Sequence, residues 1–279
     1  IKNYSKNIYL FFYGDYTCSG IYKYFWVFLI MGYAEKLILG PKKGDRVSYF
    51  GNDAAVRGAL EAGVMYITGY PGTPASQALD TAGEIYRNLP KELKGKFKAN
   101  MRVNEAAAMS AVLGASKNGY RAAVFLKHVG FNVASDVFRT ATELGARAGL
   151  VIYNGSDPGA LSSQNEQDNR YYGLKDEAPV IAPSTPQELK DFAKSAFELS
   201  EYSGYPVILD APTRLWHSRA LIECGDIQIP EKTFNDCFEK RPWATISLGV
   251  YRTFHARRRY EDVSSEIRNT FGEKATREL

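Results

Sequence analysis

Residues 64–74 read VMYITGYPGTP, and this stretch decides the fold class. Its first part, Val64–Thr68, is apolar and β-branched, which is typical of a buried strand. The part that follows, Gly69–Gly72, has the glycine and proline of a loop. Thr73 has a hydroxyl that can cap a helix, and Pro74 has the fixed φ of a first helical position. The stretch therefore predicts a strand that leads through a tight loop into a helix.

The same alternation of short apolar runs and longer helical patterns continues along the chain. It predicts strands joined by crossover helices, and hence an α/β fold with a parallel sheet and helices on both faces. Further strands are expected at Met101–Val103, Ala122–Leu126, Gly149–Tyr153 and Pro206–Asp210. Helices are expected at 52–62, 73–88 and 105–118, from about 130 to 144, and at 186–203.

The composition excludes several classes of protein. A chain of 279 residues with 45% hydrophobic side chains is long enough for a filled core. Its 35 basic and 31 acidic residues nearly cancel, so we expect no nucleic-acid partner. The three cysteines Cys18, Cys224 and Cys237 form no Cys-x-x-Cys pair. They predict neither a zinc site nor an iron–sulfur site in this chain, and they fit a reducing cytoplasm.

Residues 1–30 differ from the rest of the chain. Nineteen of them are Ile, Lys, Asn, Tyr or Phe, and none is alanine or proline. AT-rich codons specify these amino acids, so we interpret the segment as a non-native leader and Met31 as the natural start. A membrane anchor at Ile21–Ile30 would be too short to span a bilayer and would contain Lys23. No cleavage site of a signal peptide follows, so we expect no membrane association.

The unusual residues of the chain come directly after predicted strands. In open parallel sheets, ligands bind at the carboxyl ends of the strands. The segments concerned are Gly69–Thr73, Asn104–Glu105, Lys127–Asn132 and Asp157–Asp168. One edge of the sheet is therefore the candidate site.

The first two segments each have two interpretations. In one interpretation, Gly69–Thr73 is a tight turn whose backbone can approach a ligand closely. In the other, it is an ordinary turn between a strand and a helix. It is not a P-loop, because no Gly-Lys-Ser/Thr follows. Glu105 opens a helix of small residues, where a carboxylate complements the helix dipole. The same small residues would also let a second subunit or a flat ring pack closely against it.

The other two segments also have two interpretations each. Lys127 and His128 at a strand end suit an anionic ligand, although a single histidine is more often structural. Ser162–Arg170 consists of nine polar side chains. It is either a solvated loop or a set of amides that make directional contacts in a pocket or interface. The histidines are too dispersed for a metal site, so no metal ligand is predicted.

Seven segments of the chain occur in the same order and at similar spacing in a known protein family. They are Gly51–Ala54, Arg57–Val64, Gly69–Pro74, Val103–Glu105, Lys127–Ala134, Ser162–Tyr172 and Thr213–Arg219. Over about residues 46–220 the chain resembles the alpha subunits of indolepyruvate ferredoxin oxidoreductase, of the 2-oxoacid:ferredoxin oxidoreductase superfamily. The amide-rich run is the most specific part of the resemblance.

The resemblance implies a thiamine-diphosphate-binding fold, with a pyrimidine-binding domain at 31–220 and the beginning of a following segment at 221–279. It implies oxidative decarboxylation of an aryl 2-oxo acid to its acyl-CoA with reduction of ferredoxin. Thiamine diphosphate with magnesium is the implied cofactor. Its diphosphate half and the iron–sulfur clusters would come from missing domains or another chain. The implied partners are a beta subunit, ferredoxin and coenzyme A.

The resemblance also implies roles for individual residues. Glu105 would be catalytic and would hydrogen-bond the aminopyrimidine nitrogen opposite the amino group. The other implied cofactor-binding residues are Gly69, Tyr70, Pro71, Gly72, Thr73 and Asn132. The implied substrate-binding residues are Thr73, Lys127, His128, Gln164 and Asn165.

Two departures from the family pattern leave other hypotheses open. Ser156–Gly159 and Leu161 stand where the family has an acidic pair and a larger side chain, so the resemblance does not define the substrate preference. The chain also has no Gly-Asp-Gly motif and no cysteine cluster. It is therefore expected to be incomplete alone. The alternatives are a non-catalytic subunit, or one half of a split oxidoreductase acting on another 2-oxo acid. A neighbouring reading frame with the missing motifs would decide among them.

Overall fold

The structure is a computed structural model that describes residues 38–234 together with residues 261 and 265. The predicted leader at 1–30 and most of the predicted following segment at 221–279 lie outside these residues. None of the described helices has the length and apolar character needed to cross a bilayer. The strands and helices below refer to the described part of the chain.

The strands and helices alternate along the chain as the sequence predicts. The strands are β1 (Arg46–Phe50), β2 (Tyr66–Gly69), β3 (Lys98–Met101), β4 (Ala122–Lys127), β5 (Leu150–Ser156), β6 (Val180–Ile181), β7 (Val207–Pro212) and β8 (Arg219–Glu223). The helices are α1 (Gly51–Glu61), α2 (Ser76–Asn88), α3 (Lys91–Lys94), α4 (Glu105–Lys117), α5 (His128–Leu144), α6 (Arg170–Asp176), α7 (Pro186–Ser203) and α8 (Thr213–His217).

Six of these strands form one parallel sheet in the order β3-β2-β4-β5-β7-β6. In its centre, Tyr66 of β2 is in register with Ala122 of β4, and Ala122 with Leu150 of β5. Because every strand pair in this sheet is parallel, all carboxyl ends lie at one edge. This confirms the predicted α/β class with a parallel sheet.

The core has two layers, one on each face of the sheet. Alternate residues of a strand point to opposite faces, so Ile67 packs in one buried cluster and Tyr66 in the other. The cluster around Ile67 includes apolar residues of α1, α2 and α7. The cluster around Tyr66 includes those of α4 and α5. Helices therefore cover both faces, as predicted.

A second, two-stranded sheet joins the beginning and the end of the domain. β1 and β8 pair in antiparallel fashion, with Arg46 opposite Glu223 and Phe50 opposite Arg219. Beside this pair, the buried Arg57 donates to the carbonyl oxygens of Ile38, Pro41 and Gly225 and to the carboxylate of Glu61. One guanidinium thus connects segments far apart in the sequence.

Some predicted boundaries were wrong. Strand β3 is Lys98–Met101, not Met101–Val103, because β3 pairs with the whole of β2 while Val103 is 85% exposed. β7 is not the edge strand of the sheet, because the two-residue strand β6 pairs with its outer side. An exposed edge strand and a two-residue strand carry little apolar signal, which explains both errors.

The predicted start of α2 at Thr73 was also wrong. The Thr73–Pro74 peptide bond is cis, and the helix begins at Ser76 without a local side-chain cap. The cap comes instead from Asn52 of α1, whose Oδ1 accepts the N–H of Ala78 at 3.0 Å. Its Nδ2 donates to the Pro74 carbonyl oxygen at 3.1 Å. A residue 26 positions away along the chain therefore satisfies the helix terminus.

Candidate functional site

The candidate site lies at the edge of the sheet where the carboxyl ends of the strands meet. Four predicted segments follow β2, β3, β4 and β5 at this edge. The parallel strand pairing brings these segments, which are far apart in sequence, to one side of the molecule. The four segments predicted to follow strand ends therefore lie at the same edge of the sheet.

Glu105 is the first residue of α4 and is partly exposed. Asn104 caps this helix, because its Oδ1 accepts the N–H of Ala107 at 2.8 Å. Among the described residues, the Glu105 carboxylate has no hydrogen-bond or ion-pair partner. It lies against the backbone of Gly130 in the first turn of α5. The carboxylate therefore lies beside a second helix terminus and is accessible to a ligand.

The loop Gly69–Thr73 follows β2 and packs against the end of β4. A methyl group on Gly72 would lie 2.7 Å from Cβ of Lys127, so only glycine permits this approach. Tyr70, Pro71 and Thr73 are exposed. The loop thus presents its side chains to solvent while its backbone contacts Lys127.

Lys127 and His128 both contact the long loop 157–169 that follows β5. Lys127 Nζ donates to the carbonyl oxygen of Ser162. His128 is fully buried, and its Nε2 lies 3.0 Å from the carbonyl oxygen of Asn165. Because a carbonyl oxygen only accepts, Nε2 bears the proton and the ring is a donor to this loop. His128 is the first residue of α5, and the predicted start of that helix near Gly130 was two residues late.

A chain of amide hydrogen bonds anchors the other end of this loop. Asn169 Nδ2 donates to the His128 carbonyl oxygen at 2.9 Å and to Asn154 Oδ1 at 2.8 Å. Gln167 Nε2 donates to the same carbonyl oxygen at 3.0 Å. Gln167 and Asn132 exchange hydrogen bonds at 2.8 and 2.9 Å. The amides of this end of the loop therefore make directional contacts within the domain.

Asp157 organises the first half of the loop. Its Oδ2 accepts the N–H and the hydroxyl of Ser162 at 2.8 and 3.2 Å and the hydroxyl of Ser163 at 2.6 Å. Its Oδ1 accepts the hydroxyl of Thr213 at 3.0 Å. Burial alone would raise the pKa of this carboxyl, but these hydrogen bonds outweigh it and lower the pKa to about 2. Asp157 is therefore ionised at neutral pH.

The remaining predicted residues of the loop are at its surface. Gln164 and Asn165 have exposed side chains, and His128 lies within hydrogen-bond distance of the backbone oxygen of Asn165. Arg170 Nη2 donates to Asp168 Oδ2 at 2.6 Å. Thus the loop is fixed by its backbone and its inner side chains, and it exposes the two side chains predicted to meet substrate.

Sequence reasoning missed a buried polar cluster beneath the loop. The hydroxyl of Ser156 donates to Asp210 Oδ1 at 2.6 Å, and Asn154 Nδ2 donates to the same oxygen. Burial raises the pKa of Asp210, although both hydrogen bonds act in the opposite direction. The available signal was an aspartate that directly follows the apolar run Val207–Leu209. No group of three or more metal-ligating side chains occurs among the described residues.

Comparisons with known proteins agree on one family. The profile of the family described as pyruvate flavodoxin/ferredoxin oxidoreductase, thiamine diphosphate-binding, matches residues 57–275. The chain is 42% identical over 215 residues to the indolepyruvate oxidoreductase subunit IorA of Archaeoglobus fulgidus. It is 39% identical over 233 residues to the corresponding subunit of Methanothermobacter thermautotrophicus. These alignments cover 77% and 83% of this chain, but 34% and 36% of the relatives.

A solved structure supports the fold. A chain of the 2-oxoglutarate:ferredoxin oxidoreductase from Magnetococcus marinus superposes with a TM-score of 0.62 at 18% sequence identity. The match covers 80% of this chain and 45% of that one. The sequence thus spans about a third of the length of the curated relatives that it matches.

Proposed function

Because the chain belongs to the pyruvate flavodoxin/ferredoxin oxidoreductase family of thiamine-diphosphate-binding domains, we propose that it supplies the aminopyrimidine side of a thiamine diphosphate site. The whole enzyme would oxidatively decarboxylate an aryl 2-oxo acid, as the names of its IorA relatives suggest. The single observation that carries the proposal is the Glu105 carboxylate at the sheet edge.

The surroundings of Glu105 fit an aminopyrimidine ring. The carboxylate is partly exposed, has no partner among the described residues and lies beside the bare backbone of Gly130. A flat ring needs such space next to a carboxylate, since its edge must come within hydrogen-bond distance. The neighbouring α4 residues Ala106 and Ala107 are small and only partly buried. They leave room for a ring or a second protein surface.

In this proposal Glu105 accepts a hydrogen bond from the ring nitrogen opposite the amino group and so holds a proton at that atom. When bound, the cofactor itself supplies the chemistry of carbanion stabilisation. The loop Gly69–Thr73 and Asn132 would line the ring. The protein's contribution would be to orient the ring and to exclude competing reactions.

The substrate side of the proposal concerns the loop 157–169. Thr73, Gln164 and Asn165 have exposed side chains at this edge and would contact the 2-oxo acid. Lys127 and His128 both donate to carbonyl oxygens of the loop, so we assign them an effect on substrate binding through it. Asp157 fixes the same loop through its four hydrogen bonds.

The rest of the enzyme is proposed to lie outside the described residues. Magnesium needs several oxygen ligands, and an iron–sulfur cluster needs four cysteine thiolates. We propose that a further part of the enzyme supplies both, together with the diphosphate site. A beta subunit, ferredoxin, coenzyme A and a cytoplasmic location belong to the same proposal.

The test is the substitution Glu105→Gln in the complex reconstituted with its partner chains. An amide of the same size cannot hold the proton, so we expect at least a hundredfold lower rate of 2-oxo-acid-dependent dye reduction, on the order of a lost general acid–base group. The thermal midpoint of the chain should not change. Glu92→Gln is the matched control, because Glu92 is also a first-turn glutamate and is exposed. A Glu105→Gln rate within about threefold of wild type would rule out the assignment.

A further inference from the structure

Gly130 lies in the first turn of α5, beside the side chain of Glu105. A methyl group on Gly130 would approach Glu105 Oε1 at 2.5 Å, Cγ at 2.7 Å and Cδ at 2.9 Å. These three atoms are the nearest heavy atoms to that position, and all lie closer than real side chains approach each other. The observed position of the Glu105 carboxylate therefore requires that residue 130 has no side chain.

The backbone of α5 does not itself require glycine at this position. Gly130 is absent from the glycines with positive φ, so an L-residue can adopt its conformation. Within a helix, glycine is less favourable than alanine because it loses more conformational freedom on folding. The reason for glycine at position 130 is thus steric, and the group that needs the space is Glu105.

Gly114 in α4 provides an internal comparison. It is also a helical glycine, but a methyl group there would meet no heavy atom within 4 Å. Replacement of Gly114 by alanine changes helix propensity alone. Replacement of Gly130 by alanine changes helix propensity and the space available to Glu105.

We propose that Gly130 is a positioning residue for the Glu105 carboxylate. This inference rests on the proposed function of Glu105 and adds the residue that fixes the position of its carboxylate. Because the carboxylate makes no hydrogen bond or ion pair with the described residues, steric contact with α5 limits its rotamers. The bare backbone of Gly130 lets the carboxyl group lie where a ring edge can reach it.

A double-substitution cycle on the full unloaded chain tests the contact without any cofactor. On the wild-type background, Gly130→Ala should leave the thermal midpoint almost unchanged, because the gain in helix propensity is offset by the forced movement of Glu105. On the Glu105→Ala background, the same change should raise the midpoint by about 2 °C. Gly114→Ala should raise it by a similar amount on both backgrounds. Equal shifts for Gly130→Ala on both backgrounds would overturn the inference.

The reconstituted complex provides the second readout. We expect Gly130→Ala to lower kcat about a hundredfold, since a displacement of about 1 Å at a reacting group has effects of this order. The KM for the 2-oxo acid should stay within about twofold, because the substrate contacts are retained. Gly114→Ala should behave like wild type in both constants.

The possible failures are distinguishable. If Gly130→Ala keeps its kcat while Glu105→Gln loses activity, the positioning role is wrong and the proposed function stands. If Glu105→Gln keeps its activity, the proposed function fails and the functional part of this inference fails with it. The thermal cycle would still report whether the two residues are in contact.

Discussion

Replacement of Asp157 by asparagine should destabilise the domain in a pH-dependent way. The carboxylate accepts hydrogen bonds from Ser162, Ser163 and Thr213. An asparagine would retain one oxygen and direct an NH₂ group at one of these donors. A shift of the pKa from 3.8 to about 2 corresponds to about 2.4 kcal/mol. Because the loop borders solvent, which screens part of the interaction, we expect a loss of about 1–2 kcal/mol at pH 7.

The sign of the pH dependence follows from the direction of the shift. The folded-state pKa is lower than that of the unfolded chain, so the stabilisation is complete above about pH 4. It is lost as the pH falls through about 2, where the folded-state carboxyl takes up its proton. The difference in unfolding free energy between wild type and Asp157→Asn should therefore shrink between pH 4 and pH 2.

Urea unfolding at a series of pH values measures this difference. Subtracting the variant from wild type removes the contributions of the other carboxyl groups. Asp80→Asn is the matched control, because Asp80 is an exposed residue of α2. Its difference from wild type should stay close to zero throughout. A difference for Asp157→Asn that is the same at pH 7 and pH 2.5 would refute the reasoning.

Three further predictions concern other parts of the chain. Arg57→Ala should lower the unfolding free energy by about 3–5 kcal/mol in urea titrations, because three carbonyl oxygens lose their donor, while Glu61 keeps its ion pair with Lys190. His128→Ala should speed hydrogen exchange at 162–167 while helix α7 stays protected, because the donor to Asn165 is lost. The unassembled chain should bind thiamine diphosphate with magnesium no tighter than about 1 mM in calorimetric titrations, because a few hydrogen bonds to the ring barely offset the ordering cost; micromolar binding would contradict the half-site proposal.

The features that local sequence determines were predicted well. The helices predicted at 105–118 and 186–203 form as α4 and α7, and the residues directly before them are their caps, Asn104 for α4 and Thr185 for α7. The buried strand β4 has a continuous apolar run and was found within one residue of its end. In each case neighbours in sequence are also neighbours in space.

The features that distant residues determine were missed. The cap of α2 comes from Asn52, and the pairing of β1 with β8 joins residues about 170 positions apart. No local pattern records such partners. The same holds at the site, where the segments were predicted but their mutual contacts, such as Glu105 with Gly130, were not. A single sequence indicates which residues have side chains suited to binding or catalysis. The packing of helices against the sheet decides which of these residues are in contact.

The pairing of β1 with β8 has a consequence for how this domain is connected to other domains. Arg46 precedes the parallel sheet in the chain and Glu223 follows it, and these two residues are partners across one antiparallel ladder. The segments before and after the parallel sheet therefore lie side by side. A unit whose flanking segments lie side by side is of the kind that tolerates insertion and circular permutation. A circular permutant that joins the two strands by a tight turn and opens the chain elsewhere would keep every strand pair of the parallel sheet.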